Sequence, residues 1–162
     1  MKKKNLLICL FIVFLVLIDQ ISKLLIVKFI DLNESVILIN NFLKFLYIRN
    51  TGGAFGILGR STFLLIIITI ILIYFIIKEI IKNKDNKLVL FCYSLILSGA
   101  IGNLIDRIFR HYVVDFISFT LFNREMAIFN IADIFITLGV VLYAFILIKE
   151  GSNERNNNKW RR

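Results

Sequence analysis

The chain of 162 residues has no proline, one histidine, two cysteines and only 19% charged residues, against roughly 25% in an average soluble domain. Each shortage excludes something. Cys9 and Cys92 both fall inside apolar runs, where a buried thiol behaves as a small hydrophobe, so they form neither a disulfide framework nor a metal motif. No metal and no cofactor is therefore expected. His111 is the single imidazole, and although its pKa suits proton transfer, its position in a polar loop reads as solvated. Scarce charge beside 59% hydrophobic residues excludes a water-soluble single domain, because one core of this size cannot hide that much apolar side chain. The bilayer takes the surplus.

Four apolar runs are present, Leu6–Ile30, Thr62–Ile81, Leu88–Ile105 and Ile128–Ile148. Each is close to the roughly 20 residues that a helix needs to cross the hydrocarbon. The expected fold is an all-α integral membrane protein with four transmembrane helices. Residues 1–148 form one membrane-embedded domain. Residues 149–162, which are polar, asparagine-rich and basic, read as a disordered tail near anionic headgroups. Residues 36–48, VILINNFLKFLYI, are too short to span and read as a small β-hairpin outside the membrane.

The formal charge of +9 would point a soluble protein toward nucleic acid, but here the placement of the charge decides. Lys2, Lys3 and Lys4 precede the first run. Lys78, Lys82, Lys84 and Lys87 surround the second connection, and Lys149, Arg155, Lys159, Arg161 and Arg162 follow the fourth run. The positive-inside bias puts both termini in the cytoplasm, with residues 31–61 and 106–127 facing outward. No nucleic-acid partner is expected, only membrane lipids. The first run lacks a small-residue cleavage site and stays as a signal anchor.

An ionisable group within a span is costly unless paired or wet, so each one marks a candidate site. Asp19, Lys23, Asn103, Asn130 and Asp133 qualify, with Asp106, Arg107 and Asp115 at the adjoining outer edge. Asp19 and Lys23, four apart, stack as an ion pair that braces the bundle. Ser98, Gly99, Ala100 and Gly102 make the third helix thin enough for close packing. Arg107 carries a guanidinium fork at headgroup depth, suited to a phosphate or a peptide carbonyl. Asn130 lies on the same face as Asp133, one turn earlier. Asp115, in the loop returning to that helix, converges on similar depth. Two carboxyls held close share a proton and titrate as a pair, so that one acts as base on a water while the other donates to a carbonyl oxygen. Spacing alone equally allows an ion-pathway acid or an interfacial salt bridge. A non-enzymatic reading, a small transporter or assembly factor with Asp133 as its proton site, stands beside the peptidase one.

Five blocks in order carry a resemblance: Asp19-Gln20-Ile21-Ser22-Lys23, Asn50-Thr51-Gly52-Gly53-Ala54-Phe55, Gly102-Asn103-Leu104-Ile105-Asp106-Arg107, Val113-Val114-Asp115-Phe116 and Phe129-Asn130-Ile131-Ala132-Asp133. Together they resemble lipoprotein signal peptidase, the type II signal peptidase of bacteria. The resemblance implies a multi-pass aspartic endopeptidase of the cytoplasmic (inner) membrane with a small extracytoplasmic sheet that cradles substrate, and since nothing in the sequence demands an oligomer, a monomer is expected. It implies cleavage of prolipoproteins just before the cysteine that bears diacylglycerol, at a site near the extracytoplasmic face. By motif, Asp115 and Asp133 resemble the catalytic pair. Asn50, Gly52, Ala54, Phe55, Asn103, Arg107 and Asn130 resemble residues that bind substrate or position the pair, and Asp19, Lys23 and Asp106 resemble structural supports. One departure stands out: where a small turn residue, commonly glycine, is expected ahead of Val113, this chain has Arg110-His111-Tyr112.

Overall fold

The computed structural model describes residues 2–52, 61–122 and 124–159, with side chains for 5–52, 61–122 and 124–151. Four helices, α1 (Lys2–Phe29), α2 (Thr62–Lys82), α3 (Lys87–Arg110) and α4 (Ile131–Lys159), are each long and apolar enough to cross a membrane. Two of them depart from the apolar runs for identifiable reasons. Helix α3 continues five residues beyond Ile105, because its charged last turn is neutralised from within: Asp106 meets both Lys23 and Arg110. Helix α4 starts at Ile131 instead of Ile128, since Phe129 is held by main-chain bonds to Phe116 and Ile117. Beyond Ile148 the α4 backbone stays helical to Lys159, where a disordered tail was expected, although its apolar part ends at Gly151.

Helix α3 is the spine of the bundle. Thirteen of its residues are buried, whereas α2 buries none and presents its apolar side chains outward, as a lipid-facing helix does. The Asn86 side chain caps its start, accepting from the amides of Leu88 and Val89 at 3.2 Å. Small residues set how closely its neighbours approach. A Cβ on Gly99 would run into the Ala132 carbonyl of α4, and one on Gly102 would lie 2.5 Å from Asp19 Oδ2 of α1. The missing side chains let α1 and α4 approach α3 closely along neighbouring positions of one face.

At one end of the bundle, β1 (Ser35–Ile39), β2 (Leu43–Asn50), β3 (Val113–Leu121) and β4 (Arg124–Glu125) form an antiparallel sheet in the order β1-β2-β3-β4. The hairpin read from residues 36–48 is its outer half. The segment around Asp115, expected as a loop, is instead the buried inner strand. Val114 and Phe116 pack with Tyr47 against Ile26 of α1 and Ile30 just beyond its end. The Val114 amide donates to Asp106 Oδ2 at 3.1 Å, tying the start of β3 to α3. His111 ends α3 with φ 63°, the left-handed conformation that favours glycine. The sequence departure thus falls at the residue that carries the turn's strained backbone.

Candidate active site

Strand register brings the first two groups together. Ile48 pairs with Asp115 and Asn50 with Val113, so Asn50 and Asp115 are diagonal neighbours on one face of the sheet. Asn50 Nδ2 donates to Asp115 Oδ2 at 2.8 Å. The same asparagine accepts at Oδ1 from the Gly52 amide at 3.0 Å, which places Gly52 at the site's edge. Ala54 and Phe55, also expected here, lie outside the described residues.

Asn130 is set beside Asp115 by the bridge between Phe129 and Ile117 immediately before it. Its Nδ2 donates to Asp115 Oδ1 at 2.7 Å. Asn130 also starts α4 through a reciprocal cap. The Asp133 amide donates to Asn130 Oδ1 at 3.0 Å, and the Asn130 amide donates to Asp133 Oδ2 at 3.2 Å. The other Asp133 oxygen, Oδ1, accepts from Asn103 Nδ2 of α3 at 2.8 Å. One asparagine therefore bonds to both aspartates, and four elements (β2, β3, α3 and α4) supply the site.

Both carboxyls line a cavity of about 570 Å³. Asn50, Asn103 and Arg107 share its polar wall, while Val113, Ile128, Ile134, Ile136 and Leu138 make the remainder apolar. Asp115 is 3% exposed. Burial raises its pKa to about 6, helped by the charge of Asp133 and opposed by the hydrogen bonds from Asn50 and Asn130 and by the charge of Lys23. A carboxyl in this position changes protonation near neutral pH and can act as acid or base. Arg107 donates to the Asn103 carbonyl at 3.4 Å from the cavity wall.

The second acid group lies behind the first. Lys23 Nζ is 2.9 Å from Asp19 Oδ2 and 3.1 Å from Asp106 Oδ2, with all three side chains fully buried. Arg110 adds an ion pair to Asp106 Oδ1 at 3.1 Å. Ala132 of α4 donates its amide to Asp19 Oδ1 at 2.9 Å, so the network ties α1, α3 and α4. Sequence reasoning missed Gln20, whose Nε2 donates to Asp19 Oδ2 and to the Gly102 carbonyl, both at 3.1 Å. Its place beside Asp19 in the first block was the available signal. His111 stays exposed, away from the aspartates, and its carbonyl accepts from Thr62 Oγ1 at 3.1 Å. Among the described residues, no group of three or more His, Cys, Asp or Glu side chains could hold a metal ion.

The chain is similar to known proteins over most of its length. The family model described as signal peptidase (SPase) II matches residues 11–149. A lipoprotein signal peptidase of Clostridium tetani is 41% identical over 141 residues, covering 86% of this chain and 90% of its own. One from Caldicellulosiruptor bescii is 44% identical over 137 residues, covering 85% and 87%. A bacterial membrane enzyme solved by the in meso method at 2.3 Å superposes with a TM-score of 0.85 at 38% identity over 90% of both chains. A second, at 1.9 Å, gives 0.80 at 38% identity over 88% of this chain and 92% of that one. With most of its length matched by the family model and by relatives above 40% identity, the chain belongs to the signal peptidase II family.

Proposed function

We propose that the chain is an aspartic endopeptidase that removes signal peptides from diacylglyceryl-modified prolipoproteins, cutting just before the lipidated cysteine. The observation that carries this reading is that Asp115 and Asp133 line one cavity and are bridged by a single side chain, that of Asn130. One aspartate takes a proton from a water whose oxygen attacks the scissile carbonyl. The other, protonated, donates to the carbonyl oxygen. Collapse of the tetrahedral intermediate breaks the C–N bond as a proton passes to the leaving cysteine nitrogen. Asn50, Asn103 and Asn130 hold the carboxyls in register, and Arg107, at the cavity wall, suits a substrate carbonyl. Gly52, whose amide donates to Asn50 Oδ1, borders the substrate site.

The enzyme works in the bacterial cytoplasmic membrane as a monomer, with both termini cytoplasmic. The sheet and the aspartates then sit at the extracytoplasmic face. Asp133 belongs to the first turn of α4, and Asn103 lies seven residues, about 10 Å, below the end of α3. At that depth the diacylglyceryl chains remain in lipid while water reaches the scissile bond. Replacing Asp115 or Asp133 with Asn in a strain lacking other copies should leave membrane insertion and abundance unchanged while prolipoprotein accumulates uncut. Normal processing by either variant overturns the mechanism. A substrate without diacylglycerol should be cut poorly, because the lipid supplies positioning; equal turnover removes lipid anchorage from the reading.

A further inference from the structure

Lys23 makes more contacts than charge neutralisation requires. Its ammonium has three protons and meets three acceptors: Asp19 Oδ2 at 2.9 Å, Asp106 Oδ2 at 3.1 Å and Asn103 Oδ1 at 3.0 Å. The two carboxylates satisfy the charge, yet the third proton is aimed at the residue that holds Asp133. We propose that Lys23 is a positioning residue of the cleavage reaction, acting through Asn103 to orient the amides that hold both aspartates; this rests on the peptidase reading above.

An ammonium can only donate, so the Asn103 amide must turn Oδ1 toward Lys23 and Nδ2 toward Asp133 Oδ1, 2.8 Å away. The flipped amide would set NH₂ against the ammonium and oxygen against the carboxylate, opposing both contacts. The same Oδ1 accepts from Asn130 Nδ2 at 3.2 Å, and that nitrogen also donates to Asp115 Oδ1 at 2.7 Å. A single buried cation thus fixes one amide directly and steadies the second. Asn103 stands between the two acid groups as the side chain that touches both. The charged groups around it are Asp19 on α1, Asp106, Arg107 and Arg110 on α3, Asp115 on β3 and Asp133 on α4. Within that set, the Lys23 charge also opposes the rise of the Asp115 pKa caused by burial.

The test is a mutant cycle on the full-length enzyme reconstituted with a diacylglyceryl-modified peptide substrate. Lys23→Met alone strands two buried carboxylates and is expected to unfold, so the informative variant is D19N/K23M, which removes one charge of each sign; K23M/D106N serves in its place should the first not fold. The folded variant should lose at least tenfold in kcat with KM within twofold. The pH limb reporting Asp115 should move upward. In an Asn103→Ala background the double substitution should cost no further kcat, because the path through Asn103 is already cut. A folded D19N/K23M with the parent kcat and pH profile overturns the proposal. So does a loss of equal factor with and without Asn103→Ala, which marks a purely structural lysine. Parent enzyme that cleaves and an inactive Asp133→Asn control keep the peptidase reading separate from this outcome.

Discussion

Two pairs of acids sit on either side of Asn103, and their surroundings differ in kind. Asp19 and Asp106 are met by cations, Lys23 and Arg110. Asp115 and Asp133 are met by neutral amides, from Asn50, Asn103 and Asn130 and from the Asn130 backbone. A buried carboxylate and the cation beside it satisfy each other, and breaking such a pair leaves an uncompensated charge. An amide donor fixes the rotamer of a carboxylate without supplying the opposite charge. The first arrangement suits a brace and the second suits groups that exchange protons. Composition could not distinguish them, since all four are aspartates in or beside apolar helices.

The sharpest way to break this comparison is to neutralise one acid from each pair. Asp133→Asn should lower cleavage on the order of 10³-fold, the scale of losing a general acid or base, while the folded yield holds. Asp106→Leu should show the reverse emphasis, lowering stability by about 3–5 kcal/mol in detergent unfolding, because Lys23 and Arg110 each lose a partner. If the two variants behave alike in both assays, the division into brace and reaction centre is wrong.

Acidity sharpens the contrast further. The Asp115 pKa of about 6 lies above its ordinary value of 3.8 because of burial, so the native state keeps a proton that the unfolded chain has released. Stability therefore falls as pH rises from about 4 to about 6, by about 3 kcal/mol for such a shift, and Asp115→Asn should abolish that slope in pH-dependent unfolding. Asn50→Ala removes a donor that favours the ionised form and should move the corresponding limb of the kcat profile to higher pH. A limb unmoved by Asn50→Ala would mean another group sets it.

Packing changes should produce smaller effects. Gly102→Ala forces a methyl against the Asp19 carboxylate and should cost about 1–3 kcal/mol of stability. His111→Gly relieves a left-handed residue on the short link between the two acid groups. It should add about 1 kcal/mol to stability with cleavage unchanged, a shift read from unfolding midpoints.

Much of this organisation is written locally in the chain. Four apolar runs announce the spans, and polar residues within them mark Asp19, Lys23, Asn103, Asn130 and Asp133 without reference to a fold. Strand β3 escaped because Val113–Leu121 is buried along most of its length and so lacks the alternation that identifies a half-exposed strand. The contact between Asn50 and Asp115 joins residues 65 apart in sequence, and only the register of β2 on β3 brings them together. The end of α3 was misplaced for an electrostatic reason: Asp106, a charge that normally terminates a span, is met by Lys23 of another helix and by Arg110 one turn on. The third contact of Lys23, to Asn103, is likewise invisible until α1 and α3 are docked.

The reciprocal cap between Asn130 and Asp133 ties chemistry to assembly. The bonds that open α4 are the bonds that aim one acid of the pair and hold the side chain bridging to the other. On the proposed mechanism, a newly inserted polypeptide whose last helix has not yet seated against β3 lacks the bond from Asn130 to Asp115, and its two acids are not yet joined. On that reading the reaction centre is completed only when the tertiary structure is.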